Sequence, residues 1–385
     1  MKILQLGKFY PIRGGVEKVM WDLTKGLAER GECCDMLCAM LPGQQVDWKD
    51  SQYLQSRDGL PAFQFSASSH VYCVPAKTKK AATMISPEMI RRLKKIHADY
   101  DIIHVHHPDP MACLALKLSG FKGKVVLHWH SDIISQRVWL ALYKPLLKWL
   151  IKRADVIVGT TPVYLEQSPW LAGVEKPKEV VPIGTAPVPA DDEAIRRESE
   201  RYKGKRIIFS LGRMVPYKGF PYLVEAAKHL PDDYVVLIGG SGPDYPELQE
   251  TIYAHDLDGK VRLLGYLTDE QTHALFHACT LFVLPSVMKT EAFGIVQIEA
   301  MSCHKPVVAT LIPESGVSWV NKDGGSGINV PCRDARAIAD AICQICKDSE
   351  TYQKYSEGAY DRYLEYFTYN RMIDQTKSVY EKLFQ

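Results

Sequence analysis

Short apolar runs of strand length alternate with helical patterns along the whole chain, and nothing else in the sequence restricts the fold as strongly. In the first half the runs are Lys2–Leu6, Asp35–Ala39, Ile102–His106, Val125–His130 and Val156–Thr160. In the second they are Arg206–Leu211, Tyr234–Ile238, Val261–Leu264, Leu281–Pro285 and Pro306–Ala309. Near-continuous apolar strands separated by helices predict parallel sheets covered on both faces, the α/β class. At 385 residues the chain exceeds one ordinary core and suits two domains. The break falls in residues 184–205, which open Pro-rich and continue as a charged helix. The expected division is 1–186, 187–368 and a last helical segment, 369–385.

The two halves echo each other. One first strand ends in Leu6-Gly7-Lys8 and the other in Leu211-Gly212-Arg213, each followed by a loop into a helix. Open α/β sheets bind ligands beyond the carboxyl ends of their strands. Two doubly wound, Rossmann-like domains facing each other across a cleft would bring these ends together.

Composition narrows the function classes. Hydrophobic residues make up 46% and charged residues 24%, which is ordinary for a folded protein and excludes a disordered chain. No stretch approaches the roughly 20 uninterrupted apolar residues that span a bilayer. The apolar start Ile3–Leu6 stops at Gly7-Lys8 without a small-residue cleavage site, so it reads as a strand rather than a signal peptide. The ten cysteines are scattered and read as reduced thiols, the Cys343-x-x-Cys346 pair included. Residues 1–186 hold 25 Lys and Arg against 17 Asp and Glu, so a negatively charged partner belongs to the N-terminal half.

Four constellations carry chemistry. Arg13-Gly14-Gly15-Val16-Glu17 leads into the first helix; paired glycines admit a ligand close to the backbone, and a helix N-terminus offers N–H groups to an anion. It is neither G-x-G-x-x-G nor a P-loop, which argues against a nicotinamide dinucleotide or a Walker-type nucleotidase. Gly212-Arg213 and Lys218-Gly219 place two cations at the matching point of the second half, where they suit a diphosphate or are a solvated pair. Glu291 and Glu299 flank Phe293-Gly294-Ile295 at the opening of a helix; Glu291 would sit at the helix mouth and Glu299 two turns on, on the same face at a different depth, where each grips a diol or one is a capping and the other a surface glutamate. Finally, His104, His106, His107, His128 and His130 cluster at two strand ends. Metal ligation would need carboxylates at ligand spacing, and only Asp109 and Asp132 lie near, so polar groups lining the cleft are the better reading. Asp99-Tyr100-Asp101 precedes a strand at its N-terminal end and reads as surface.

These motifs, in this order, resemble the retaining glycosyltransferases of sequence family 4, over essentially the whole length. The resemblance rests on Glu291 and Glu299 in an E-x7-E pattern, on Arg213 with Lys218, on the Gly14-Gly15 loop and on His130-Ser131-Asp132. A narrower similarity, in residues 130–168, is to bacterial O-antigen and capsule mannosyl- and related transferases. The resemblance implies the GT-B fold, with the final helix crossing back to the N-terminal domain. It implies transfer of a hexose from a nucleotide sugar, GDP-mannose or a UDP-hexose, with retained configuration and without a metal or other cofactor. The acceptor would be a glycan, lipid-linked, and no nucleic acid is expected.

The implied roles follow by position. Arg213 and Lys218 would hold the diphosphate, and Glu291 with the backbone of Phe293, Gly294 and Ile295 the sugar hydroxyls. Glu299 would hold the ribose, and His130 would face the sugar near the reacting carbon. Gly14 and Gly15 would close over the phosphates, while Gly240, Gly242 and Tyr266 would meet the base. A nucleotide-sugar epimerase and a non-catalytic nucleotide-sugar binder are the alternatives.

Two basic stretches suggest docking on an anionic membrane, hence a cytoplasmic enzyme peripheral on the inner face of the cytoplasmic membrane. Pro75–His97 holds seven Lys and Arg against Glu88, and Arg137–Arg153 places Lys144, Lys148 and Lys152 along one helix face among Trp139, Leu140, Tyr143, Leu147 and Trp149. For the second stretch, an ordinary amphipathic helix filling the core is the preferred reading.

Overall fold

The computed structural model describes residues 1–10, 12, 15–43, 52–54, 62–80, 83–133 and 137–385. They form two compact units, one made of Met1–Ile183 with Tyr369–Gln385 and the other of Gly184–Thr368.

The first unit contains β1 (Lys2–Phe9), α1 (Gly15–Glu29), β2 (Cys33–Met40), β3 (Gln52–Leu54), β4 (Ala62–Ser66), β5 (Ser69–Pro75), β6 (Thr78–Lys80), β7 (Thr83–Ile85), α2 (Pro87–Ile96), β8 (Ile102–His107), α3 (Pro110–Ser119), β9 (Lys124–Trp129), α4 (Arg137–Arg153), β10 (Val156–Gly159), α5 (Pro162–Gln167) and β11 (Lys178–Val180). Its sheet runs β11-β10-β9-β8-β1-β2-β5-β4-β3, parallel as far as β5. The direction of winding reverses between β1 and β8, which makes that gap the switch point where such sheets bind ligands. Every residue of β8 and of β10 is buried, as strands covered on both faces must be.

The apolar runs locate β1, β2 and β8 to β10. They do not locate β3 to β7, where strands of three residues and a hairpin turning at Ala67-Ser68 leave no readable period. The basic stretch Pro75–His97 folds as the β6–β7 ribbon and α2, whose start is capped by the Ser86 hydroxyl accepting from the Met89 N–H. It buries more than its composition suggested: α2 packs Met89 and Leu93 inward, and the Arg92 guanidinium lies buried over the Tyr72 ring at 5.0 Å. In α4, Tyr143, Leu147, Leu150 and Ile151 fill the core while Lys144, Lys148 and Lys152 stay exposed.

The final helix (Tyr369–Lys382) belongs to this first unit and lies along α1. A Cβ on Gly26 of α1 would stand 2.5 Å from Ile373, so only glycine lets the two helices approach this closely. Arg30 pairs with Asp374, Lys377 with Glu32 at 2.9 Å and Lys382 with Glu179 at 2.8 Å.

The second unit contains α6 (Asp192–Arg201), β12 (Arg206–Leu211), α7 (Phe220–Ala227), β13 (Tyr234–Gly239), α8 (Tyr245–Ala254), β14 (Val261–Gly265), α9 (Asp269–Ala278), β15 (Leu281–Leu284), α10 (Ile295–Ser302), β16 (Val307–Leu311), α11 (Val317–Val320), β17 (Gly327–Pro331), α12 (Ala335–Ile345) and α13 (Ser349–Arg362). Its sheet, β14-β13-β12-β15-β16-β17, is parallel throughout, with the switch point between β12 and β15. Ile208, Val236, Leu281 and Val283 of the strands meet Phe220, Leu223, Ile338 and Ile342 of the helices in one core. Cys343 and Cys346 are free thiols, half-buried and buried.

Candidate active site

At the carboxyl edge of the second sheet the loops after β12, β13 and β14 are locked together by the backbone. Gly212 N–H donates to Gly239 at 3.1 Å, Gly240 N–H to Gly265 at 2.7 Å and Met214 N–H to Ser241 at 2.9 Å. A Cβ on Gly240 would stand 2.0 Å from the Gly212 carbonyl oxygen, and one on Gly242 would stand 2.2 Å from that of Met214. These glycines thus serve the packing of loop on loop, whatever else they meet. Gly219, at φ +69°, is fitted the same way against the Pro285 carbonyl.

Across the switch point Lys218, after β12, meets Glu291, after β15. The ammonium lies 2.6 Å from Glu291 Oε2, and the Ser286 hydroxyl donates to the same oxygen at 2.9 Å. The Ser315 hydroxyl donates to the Glu291 carbonyl at 2.5 Å, and Gly316 N–H to that of Ala292 at 3.0 Å. Two cations were expected to work together here, but Lys218 stands engaged by a carboxylate while Arg213 is exposed.

The structure keeps Glu291 at the mouth of the helix but takes it off the face that carries Glu299. Gly294 adopts the left-handed conformation, φ +73°, and its successor Ile295 begins α10. Glu291 therefore lies in the loop ahead of the helix and Glu299 in its second turn, so the two do not share a helix face. The Phe293 ring is buried edge-on to Phe367 at 5.9 Å, leaving only its backbone for a ligand. Among the described residues no side chain caps the start of α10, so its first N–H groups remain available to an anion or a sugar oxygen. Tyr266, just past β14, is 83% exposed.

In the first unit Gly15 is exposed and opens α1, while Gly14 and Arg13 lie outside the described residues. Lys8, paired in sequence with Arg213, is buried; its ammonium donates to the Pro108 carbonyl and its N–H to Asp109. Burial lowers its pKa, against the pull of Asp109 and Glu17. It anchors the end of β1 rather than standing ready for a ligand. Asp132 likewise holds structure, accepting from Trp129 Nε1 at 3.0 Å and the Ser168 hydroxyl at 2.7 Å.

Beside the β1–β8 switch point, His104, His106, His128 and His130 form a buried stack, with ring centroids of successive pairs 4.0 to 5.3 Å apart. Burial holds all four neutral, with His104, His106 and His130 well below the usual imidazole pKa and His128 down to about 3. The nearest nitrogens of His104, His106 and His128 lie within 4.8 Å of one another. An imidazole lone pair lies in its ring plane, however, and these planes are within 30° of parallel. Their nitrogens point alongside one another rather than at a common centre, which does not suit tetrahedral ligation.

No motif marks Ser286 or Ser315, and in sequence the ring of Tyr380 is one more apolar residue of the final helix. The single polar residue in the run Ile3–Leu6, Gln5, was the one available signal for the network behind His130.

Two doubly wound units, each with polar groups gathered at its switch point, have the architecture of the GT-B fold. Residues 191–362 match the family described as Glycosyl transferases group 1, and residues 13–186 match Glycosyltransferase Family 4. The chain is 29% identical to the O-antigen chain mannosyltransferase C of Escherichia coli, over all of this chain and 99% of that one. It is 32% identical to the D-rhamnosyltransferase WbpZ of Pseudomonas aeruginosa, over 75% of each. Among solved structures, Anabaena HepE in complex with UDP superposes with a TM-score of 0.76 at 18% identity, covering 99% of this chain and all of that one. The chain belongs to glycosyltransferase family 4.

Proposed function

We propose that the protein is a retaining, metal-independent hexosyltransferase. It takes its sugar from a nucleotide donor, GDP-mannose or a UDP-hexose, and passes it to a lipid-linked glycan in cell-surface polysaccharide synthesis. The observation that carries this reading is the Lys218–Glu291 pair at the β12–β15 switch point, which puts a cation for a diphosphate beside a carboxylate for sugar hydroxyls. Arg213 joins Lys218 on the diphosphate and neutralises the charge that builds up on the leaving nucleoside diphosphate. Glu291 and the free N–H groups at Gly294–Ile295 orient the sugar, Glu299 takes the ribose, and Tyr266 stacks on the base. Gly15 admits the phosphates to the start of α1, and His130 faces the sugar near the reacting carbon. Bond breaking and bond making on one face of the sugar then preserve its configuration.

Relatives named for mannosyl and D-rhamnosyl transfer support the substrate class, and mycobacterial relatives named as phosphatidyl-myo-inositol mannosyltransferases support a lipid-borne acceptor. Among the described residues no helix is long and apolar enough to cross a membrane. The surface of α4 supports peripheral docking. Lys144, Lys148, Lys152 and Lys176 line a cavity of about 750 Å³ with Trp170, and Ile85, Leu114, Leu140 and Leu142 line an apolar one of about 270 Å³. Leu142 is 71% exposed.

The test is a thermal-shift screen with UDP, GDP and ADP, followed by transfer assays with the matching sugars, with and without acceptor. Product with retained configuration, formed only with acceptor, is expected. Conversion of the donor sugar without acceptor would mean an epimerase, and binding without product or donor hydrolysis a sensor.

A further inference from the structure

A run of hydrogen bonds links the final helix to His130 inside the first unit. The Tyr380 hydroxyl oxygen lies 2.5 Å from His104 Nδ1 and 3.0 Å from Gln5 Nε2. Gln5 Oε1 lies 2.8 Å from His106 Nε2, and His106 Nδ1 lies 2.9 Å from His130 Nε2. All five side chains are buried. Outside the run, His104 Nε2 and His130 Nδ1 have no hydrogen-bond partner among the described residues.

The protons in such a run are not independent. A neutral imidazole carries a single ring proton, and burial keeps these rings neutral. The Gln5 amide NH₂ donates to Tyr380, with its other hydrogen toward Cys34 Sγ at 3.8 Å, so the Tyr380 hydroxyl proton goes to His104 Nδ1. The Gln5 carbonyl accepts from His106 Nε2–H, which leaves a bare lone pair on His106 Nδ1. That lone pair accepts from His130 Nε2–H, so His130 keeps its own lone pair on Nδ1. Turning the amide by half a rotation would reverse every bond in the run and move the His130 proton to Nδ1.

We propose that Gln5, held in place by Tyr380, sets the tautomer of His130 through His106, so that His130 offers a ligand a hydrogen-bond acceptor at Nδ1 and not a donor. An acceptor there suits a sugar hydroxyl; a donor would suit a phosphate oxygen. Gln5, His106 and Tyr380 are thus positioning residues, and their consequence for transfer rests on the reading that His130 meets the donor sugar. The tautomer itself does not depend on that reading.

Ring-nitrogen NMR of the full-length protein labelled with ¹⁵N-histidine tests this, because each tautomer gives its own correlation pattern; single His→Asn variants assign the signals. In the wild type, His104, His106 and His130 are expected to be protonated at Nε2. Gln5→Leu and Tyr380→Phe should spread His130 over both tautomers and lower kcat roughly tenfold, with KM for the donor within about twofold, since one oriented hydrogen bond is at stake. Protonation of wild-type His130 at Nδ1, or an unchanged pattern in both variants, overturns the proposal; the wild-type spectrum alone decides if neither variant folds. A shifted tautomer with unchanged kcat upholds the relay and instead removes His130 from the donor sugar.

Discussion

Lys218 Nζ lies 2.6 Å from Glu291 Oε2, and the two side chains are only 12% and 11% exposed. They approach across the one point of the second sheet where the winding reverses, from loops that follow different strands. Each residue thereby fixes the other's rotamer, and in the proposed site this is the preorganisation that electrostatic stabilisation requires.

Glu291→Gln should lower kcat/KM by about 2–4 kcal/mol of transition-state stabilisation. The melting temperature should move by only a few degrees, because the amide oxygen still accepts from Lys218 and Ser286. In a double-mutant cycle with Lys218→Ala the two effects should fall short of additivity by about 1 kcal/mol or more. Strict additivity in kcat/KM would mean that the residues act on separate parts of the substrate.

Gly240→Ala should destabilise the second unit by at least about 1–3 kcal/mol, from a φ of +120° that an L-residue rarely adopts. The 2.0 Å approach to the Gly212 carbonyl adds to this. Gly259→Ala is the control, since a Cβ there meets nothing within 4 Å among the described residues. Equal melting temperatures for the two variants would mean that the loop lock is slack.

How much of this the sequence disclosed depends on the range of the interaction. The strands at the centre of both sheets are legible because burial on two faces writes a continuous apolar run, and Glu291, Arg213 and Lys218 are legible as motif residues. The pairing of Lys218 with Glu291 is not, because it spans 73 residues and no local period records it. Nor is the role of Tyr380, whose ring fits an apolar stripe while only its hydroxyl does the linking. Nor is the left-handed turn at Gly294, which sets Glu291 ahead of α10 and off the face that carries Glu299.

The buried histidines should make stability fall steeply on the acid side. An unfolded imidazole takes up a proton near pH 6.5, whereas His107 and His128 in the fold do so only near about 3. Below pH 6.5 the unfolded chain therefore holds more protons, and each such histidine removes about 1.4 kcal/mol of stability per pH unit. Denaturant titrations of His128→Leu between pH 6.5 and 4 should show a slope shallower by that amount. A slope identical to wild type would mean that His128 is already charged in the fold.

Transfer activity should survive excess chelator, and Arg213→Ala or Lys218→Ala should weaken diphosphate binding with no rescue by Mg²⁺ or Mn²⁺. Loss of activity in EDTA, restored by either ion, would show that a metal shares the work of the two cations.

Co-sedimentation with anionic vesicles should weaken with salt and fall on changing Lys77, Lys79, Lys80 and Arg91 to Ser together. Arg92 is left out because it is buried over Tyr72. Leu142→Ser should weaken binding further. Equal pelleting with neutral vesicles would remove the electrostatic component.

Gln5 and Tyr380 are 375 residues apart, and the whole of the second unit is encoded between them. On the ribosome, where synthesis proceeds at roughly 5–20 residues per second, the first unit cannot be completed when Met1–Ile183 has emerged. His104 Nδ1 and one amide hydrogen of Gln5 must wait for the Tyr380 hydroxyl through the synthesis of Gly184–Thr368, while that second unit is contiguous and free to fold at once. The half that begins first is therefore the half that finishes last, and a premature stop after Thr368 would leave a complete second unit attached to a first one lacking its closing helix.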